Sequence, residues 1–285
     1  MRINTNVASL TAQESATNTN KTLSSSLEKL SSGLRVNKAS DDASGLAIAD
    51  KLRTQASSIK QSISNGNSAV SLTQISDKAM AEQSNILDIV KQKLIQAATA
   101  TTSKEGREAI GKDINKLLTQ IDNIASQTNY NGIQLLQESA TGQGAASAQT
   151  FQMGEKAADL ITLGAGIQAN TSGLDKMDTL KASALGFATA SAGVSRGYMK
   201  NVDSAINQLN SWRSDVGSTQ NQLESALRNM MTQHTNIKAA ESVIRDVDYA
   251  SESANFNKAN IIAQAGTYAM SQANAMQNNV QRLLQ

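Results

Sequence analysis

Apolar residues along this chain recur in alternating steps of three and four, which places them on one face of an α-helix and is typical of helices that pair lengthwise. One series lies in the first quarter of the chain, and a second, with four polar members, spans residues 202–244. As one continuous helix, residues 202–244 would be about 65 Å long. A rod of that length needs partner helices. The first series is Leu23, Leu27, Leu30, Leu34, Leu52, Ala56, Ile59, Ile63, Gly66 and Val70, and the second is Val202, Ile206, Leu209, Arg213, Val216, Gln220, Leu223, Leu227, Met230, His234, Ile237, Glu241 and Ile244.

Between the two series the pattern predicts a further helix and then short strands. Apolar residues keep helical spacing from Ile110 to Ile124, and the sequence QTNYNG at residues 127–132 signals a turn, so we expect this helix to end near Asn129. The central segment, about residues 138–197, holds 9 of the 17 glycines and two short apolar pieces, Phe151–Met153 and Leu160–Leu163. Small strands or hairpins fit it best.

The predicted fold class is therefore mainly α. We expect an antiparallel bundle of long coiled-coil helices formed by the N- and C-terminal halves, with a small β-hairpin region in the centre.

Both extremities carry apolar residues at helical spacing, but Ser, Thr, Asn and Gln fill the gaps between them. Ordering such a segment costs roughly 1–2 kcal/mol per residue, and sparse apolar side chains do not offset that cost alone. We therefore predict that both ends are disordered in the free monomer and become helical when copies of the chain cover them. The residues concerned are Ile3, Val7 and Leu10 at one end and Phe256, Ile261, Ile262, Ala265, Tyr268, Met276, Leu283 and Leu284 at the other.

Composition removes several function classes. The 26 basic and 24 acidic residues balance to a net charge of +2, which does not build the basic stripe that nucleic-acid binding requires. The chain has no cysteine and a single histidine, His234, so thiolate metal sites and the HExxH zinc motif are excluded. No apolar run is long enough to span a membrane, and residues 1–20 carry no secretory h-region. We expect no cofactor, no metal and no enzymatic activity, and we interpret His234 as a polar register position of the second series.

Two stretches at opposite ends resemble the bacterial flagellins, the subunits of the flagellar filament. Residues 27–54 read LEKLSSGLRVNKASDDASGLAIADKLRT, similar to the N-terminal signature of that family. Residues 241–274 read ESVIRDVDYASESANFNKANIIAQAGTYAMSQAN, similar to its C-terminal region. Together with the turn at residues 127–132, the resemblance covers about 190 residues.

The resemblance implies a structural subunit that polymerises with copies of itself into an extracellular filament used for swimming. Residues 1–45 and 241–285 would pair as an inner coiled-coil domain, and residues 46–240 would form a helical domain with a small β-region. With only about 60 residues between the helical halves, the chain looks like a short flagellin without large outer domains. Its other implied partners are the flagellar type III export apparatus, an export chaperone that binds the C-terminal segment, and the hook-associated junction and cap proteins.

The candidate subunit interface combines the apolar residues of both ends with charged residues of the two signatures. Asp41 and Asp42 precede the helical stretch Ala43–Ile48, so helix capping is their ordinary interpretation. Arg245, Asp246 and Asp248 are either surface ions or links between subunits. The full set is Ile3, Val7, Leu10, Leu23, Leu27, Leu30, Leu34, Arg35, Asp41, Asp42, Arg245, Asp246, Asp248, Phe256, Ile261, Ile262, Tyr268, Leu283 and Leu284.

One feature departs from the flagellins that Toll-like receptor 5 detects. Those carry an arginine-rich helix patch of the type Leu-Gln-Arg-Val-Arg-Glu-Leu, whereas residues 87–93 here read LDIVKQK. Ile89 and Lys91 replace the two arginines, and Lys93 follows. Because lysine lacks the planar bidentate fork of arginine, we expect weak receptor binding. The stretch is similar to that in ε-proteobacterial flagellins, which evade the receptor.

Two alternatives stay open at this point. A hook-associated junction protein has similar terminal helices but lies only between hook and filament. A dimeric coiled-coil scaffold explains the heptad spacing but not paired signatures at both ends. An enzyme is the weakest option, because flagellins with protease activity carry an inserted HExxH domain.

Overall fold

The computed structural model describes residues 5–137, 148–164, 166–184, 186 and 192–283. Within these residues, six helices and four short strands follow one another. The helices are α1 (Val7–Ser32), α2 (Ala43–Ala98), α3 (Lys104–Gln127), α4 (Met177–Ala184), α5 (Ala192–Arg245) and α6 (Tyr249–Leu283), and the strands are β1 (Asn129–Tyr130), β2 (Ile133–Gln134), β3 (Gln149–Gln152) and β4 (Leu160–Leu163). The predicted fold class, mainly helical with small antiparallel strand pairs, is confirmed.

The chain divides into two compact units. The terminal unit contains residues 1–56 and 235–285, and the central unit contains residues 57–234. The functional division predicted at residues 45 and 241 stays a prediction.

In the central unit, α2, α3, α4 and α5 contribute to one apolar core. Leu87 and Leu94 of α2, Ile114 and Leu118 of α3, and Leu209 of α5 have no exposed surface. Such side chains each contribute about 1.5–3 kcal/mol by leaving water. The second predicted series supplies the buried face of α5, since none of its thirteen members is exposed. In α2 the buried stripe passes through Ser62 and Ala69 rather than through the adjacent Ile63 and Val70, which are only half-buried.

Both strand pairs are antiparallel hairpins. β1 pairs with β2 through Asn129 opposite Gln134 and Tyr130 opposite Ile133, with Asn131 and Gly132 between them. Both turn residues have positive φ, 51° and 81°, as the two-residue type I′ turn requires. β3 pairs with β4, which confirms the strands predicted at Phe151 and Leu160. Residues 138–147, 165, 185 and 187–191 of the predicted central segment lie outside the described residues.

Two details differ from the sequence predictions. α3 ends at Gln127 rather than near Asn129, because Thr128 is extended (φ −75°, ψ 101°) and its N–H donates to the carbonyl oxygen of Ile124. The glycine-rich centre also contains a helix, α4, that the sequence did not indicate. Leu180 of α4 is fully buried, so α4 adds to the core of the central unit.

In the terminal unit, α1 and α6 run antiparallel. The Asn6 Nδ2 donates to the carbonyl oxygen of Ala273 at 3.1 Å, and a Cβ placed on Gly266 would lie 4.0 Å from the Cβ of Ala16. At the other end of the pair, a Cβ on Gly33 would lie 3.1 Å from the Tyr249 hydroxyl oxygen. α1 ends because Gly33 adopts the left-handed conformation (φ 72°) and its N–H caps the carbonyl of Lys29.

Candidate assembly surface

The paired helices α1 and α6 leave most of their large apolar side chains uncovered. Val7 is 61% exposed, Leu10 55%, Ile261 67% and Tyr268 76%. Among the residues of α1 and α6 whose burial is described, only Ser26 and Ala259 are buried. The pairing of α1 with α6 therefore leaves apolar surface in water that another molecule could cover.

The other predicted apolar interface residues are divided between exposed and half-buried positions. Leu27 and Ile262 are exposed, whereas Leu23, Leu30, Leu34 and Phe256 are half-buried. Ile3 and Leu284 lie outside the described residues, and so does the side chain of Leu283.

Three exposed apolar residues of the terminal unit were missed by the sequence reasoning. Val243 is 80% exposed, and Ile48 and Tyr249 are each at least half exposed. They lie beside the heptad positions rather than on them, so periodicity did not single them out. The available signal was the family-like signatures, since Ile48 lies in the first and Val243 and Tyr249 lie in the second.

The charged candidates all have partners within the terminal unit. The Asp42 Oδ1 accepts the N–H of Gly45 and caps α2, and the Asp248 Oδ1 accepts the N–H of Ala250 and caps α6. The Asp246 carboxylate accepts the hydroxyl of Ser242 at 2.6 Å. Each group therefore already has a structural role, and a contact with another subunit would add to it.

Beside α1, a polar cluster closes the loop that follows Gly33. The Lys38 Nζ donates to the Glu28 carboxylate at 2.6 Å, and this bond lowers the pKa of Glu28 and raises the pKa of Lys38. The Asp41 Oδ2 accepts the N–H groups of Asn37 and Lys38, and these bonds lower the pKa of Asp41. Because the cluster is open to water, it orders the loop more than it stabilises the fold.

Two further candidates, Arg35 and Arg245, have partners elsewhere in the terminal unit. The Arg35 Nη2 donates to the carbonyl oxygen of Ile244 at 2.6 Å. The Arg245 side chain is 17% exposed and its Nη1 lies 3.9 Å from the Asp50 carboxylate.

The positions of the receptor patch belong to the central unit. Ile89 is 42% exposed on α2. The Lys91 Nζ contacts the Asp203 carboxylate of α5 at 2.5 Å, and the Lys93 Nζ contacts the Asp113 carboxylate of α3 at 3.0 Å. Both lysines therefore form ion pairs within the central unit.

Within the described part of the chain, no group of three or more His, Asp or Glu side chains is placed to hold a metal ion. His234 is half-buried on α5, on the predicted face. Over the same residues, no helix is both long and apolar enough to cross a membrane.

The fold and the uncovered apolar side chains of the terminal helices are those of a helical structural protein. Comparison with known proteins identifies the family. The sequence profile of the bacterial flagellin N-terminal helical region matches residues 3–141, and that of the bacterial flagellin C-terminal helical region matches residues 199–284.

Individual relatives agree with the profiles. The chain is 35% identical to the flagellin of Bacillus subtilis over 304 aligned positions, covering all of both chains. It is 50% identical to flagellin B of Helicobacter pylori over 153 positions, which cover 54% of this chain and 29% of that relative. A solved structure of a putative flagellar hook-associated protein from Vibrio parahaemolyticus is 12% identical, with a TM-score of 0.50, covering 73% of this chain and 97% of that one. At that identity the likeness concerns the fold alone.

The chain belongs to the bacterial flagellin family and is a structural subunit of the extracellular flagellar filament. The full-length match to a flagellin favours the filament over the hook junction, whose representative is similar in fold only.

Proposed function

We propose that copies of this chain polymerise mainly through the exposed apolar side chains of the paired helices α1 and α6, with the charged candidates of the terminal unit at the border of that contact. The observation that carries the proposal is the exposure of Val7, Leu10, Ile261 and Tyr268 on two paired helices. A neighbouring copy that covers these side chains supplies the free energy that a single molecule lacks.

Domain roles follow from this contact. Residues 1–45 with 241–285 act as the inner coiled-coil domain whose ordering depends on neighbours, and residues 46–240 act as the helical domain with its small β-region. The internal core of the central unit supports this role, because its helices bury Leu87, Ile114 and Leu209 without help from another chain.

The exposed terminal helices could also bind the proteins that act on the chain before it polymerises or at the ends of the polymer. In this proposal the N-terminal segment is the signal for the flagellar export apparatus, and an export chaperone covers the apolar side chains of α6 until assembly. The absence of cysteine agrees with passage of an unfolded chain, since no disulfide has to be broken. Hook-associated junction and cap proteins would meet the same ends at the termini of the polymer.

We also propose that the chain has no catalytic role and binds Toll-like receptor 5 weakly. Ile89 supplies no donor, and Lys91 and Lys93 are paired with Asp203 and Asp113 of the same unit. A competing receptor would have to break these ion pairs and would gain no bidentate contact in exchange.

Truncation tests the proposal directly. Chains that lack residues 1–30 or residues 256–285 should fail to form filaments on seeding, as measured by sedimentation and electron microscopy. The central unit should stay folded in both, with a cooperative thermal transition by circular dichroism. Normal filaments from either truncated chain would refute the proposed contact.

A further inference from the structure

Two interruptions of the long helices lie side by side in the terminal unit. One is the connection between α1 and α2, and the other is the break between α5 and α6. Leu34 and Asp246 form an antiparallel β-bridge across them. The Arg35 N–H donates to the carbonyl of Arg245 at 2.6 Å, and the Val247 N–H donates to the carbonyl of Gly33 at 3.0 Å. We call residues 33–35 and 244–247 the clasp.

Arg35 adds a side-chain bond to the clasp. Its Nη2 donates to the carbonyl oxygen of Ile244 at 2.6 Å. Ile244 lies in the last turn of α5, where carbonyl groups have no N–H donor four residues ahead in the helix. A cation at this end also meets the partial negative charge of the helix. Arg35 therefore joins the clasp to the end of α5 by both its main chain and its side chain.

Helices α1 and α6, which leave the clasp, pack along their length, but none of their described large apolar side chains is fully buried. Coiled-coil register normally comes from large side chains that interlock along the seam. In this pair, Ser26 and Ala259 are the buried residues among those described, and both are small. The larger apolar side chains Leu23, Leu30 and Phe256 are only half-buried, so they specify register less strongly than a fully buried coiled-coil seam. At the far end, the bond from Asn6 to the carbonyl of Ala273 marks the register that the pair adopts.

We propose that Arg35 is a positioning residue for assembly. Through the clasp it sets the register in which α1 and α6 pair, and thereby sets which apolar side chains the pair presents together to a neighbouring copy. This inference rests on the proposed function, because the register of the pair matters to polymerisation only if that pair is the contact surface.

The absence of cysteine from the chain makes register measurable by engineered disulfides. A Cβ at Gly266 would lie 4.0 Å from the Cβ of Ala16, within the range of about 3.5–4.5 Å that a disulfide needs. The pair Ala16→Cys with Gly266→Cys therefore reports the observed register. Ala16→Cys combined with Ala263→Cys or with Met270→Cys reports a slip of about one turn in either direction.

Disulfide formation under mild oxidation is followed in the full-length chain, before and during seeded polymerisation. With Arg35 present, the 16–266 bond should form fastest. With Arg35→Met, its rate during polymerisation should fall about tenfold, since a charge-assisted hydrogen bond is lost, and the slipped bonds should increase. Arg35→Lys, which keeps one donor, should be intermediate. Arg228→Met is the matched control, because Arg228 is an exposed residue of α5 in the central unit and is not part of the clasp.

A rescue separates positioning from general stability. Filament yield should fall with Arg35→Met and recover when the 16–266 disulfide is formed before polymerisation. Equal rates and equal selectivity for Arg35→Met and Arg228→Met would overturn the inference, and so would the absence of a 16–266 bond in the chain that keeps Arg35. Failure of the proposed function looks different: register would depend on Arg35, yet polar substitutions of the exposed apolar residues would leave polymerisation unchanged.

Discussion

Replacing Ile261 by glutamine tests how much one exposed side chain contributes to assembly. Ile261 lies on α6 and is 67% exposed. Full burial of an isoleucine is worth about 1.5–3 kcal/mol, so covering the remaining two thirds by a neighbouring copy should stabilise the polymer by about 1–2 kcal/mol per subunit. A glutamine side chain does not supply this stabilisation of the polymer. It does not weaken α6 itself, because its helix propensity is at least that of isoleucine.

The quantity to measure is the critical concentration, the monomer concentration left in equilibrium with filaments after seeding. A loss of about 1–2 kcal/mol raises it roughly 5- to 30-fold, since about 1.4 kcal/mol corresponds to a factor of ten. Ser271→Gln, at an exposed polar position of the same helix, is the control and should leave it unchanged. If Ile261→Gln polymerises within about twofold of the parent chain, the terminal helices are not the contact that we propose.

Two further outcomes are expected. Gln83 is fully buried in the core of the central unit, where its Nε2 donates to the carbonyls of Ala169 at 2.7 Å and of Ile121 at 3.2 Å. Gln83→Ala leaves a cavity and an unpaired carbonyl, so urea unfolding should show a loss of about 2–4 kcal/mol, and a loss below about 0.5 kcal/mol would contradict the role of this bond. The Lys38 hydrogen bond lowers the pKa of Glu28, so any stability from this exposed pair is present above the unfolded pKa and is lost as the pH falls through the folded pKa. In a nuclear magnetic resonance titration the Glu28 carboxyl should return towards its ordinary pKa in Lys38→Met, and an unchanged midpoint would show that Lys38 is not the cause.

Much of the fold followed from local patterns. The unbroken heptad spacing from Val202 to Ile244 predicted a long helix, and α5 spans Ala192–Arg245. Each of the thirteen residues of that heptad series is buried or half-buried. The turn at Asn131 and Gly132 was evident because those residue types accept positive φ. The sequence did not predict α4, because this helix has only eight residues and lies in a glycine-rich stretch with too few apolar residues to show a helical spacing.

The candidate site was predicted less completely. Periodicity and the two signatures pointed to Val7, Leu10, Ile261 and Tyr268, and these are exposed as an interface requires. The same reasoning placed Leu30 and Phe256 with them, although the antiparallel pairing leaves both half-buried. Spacing along one helix shows which residues share a face but not whether a partner helix covers that face.

The sequence alone determined the long helices, the apolar face of α5, the family and the lack of cysteine, because these depend on residue type and on separations of a few positions. Only the tertiary structure decided that Arg35 caps the carbonyl of Ile244, that Gln83 bonds to Ala169, and that α1 pairs with α6 in the observed register. Such contacts join residues distant in sequence, and a backbone carbonyl has the same chemistry at every position. Which carbonyl receives a donor is therefore settled by the packing of whole elements.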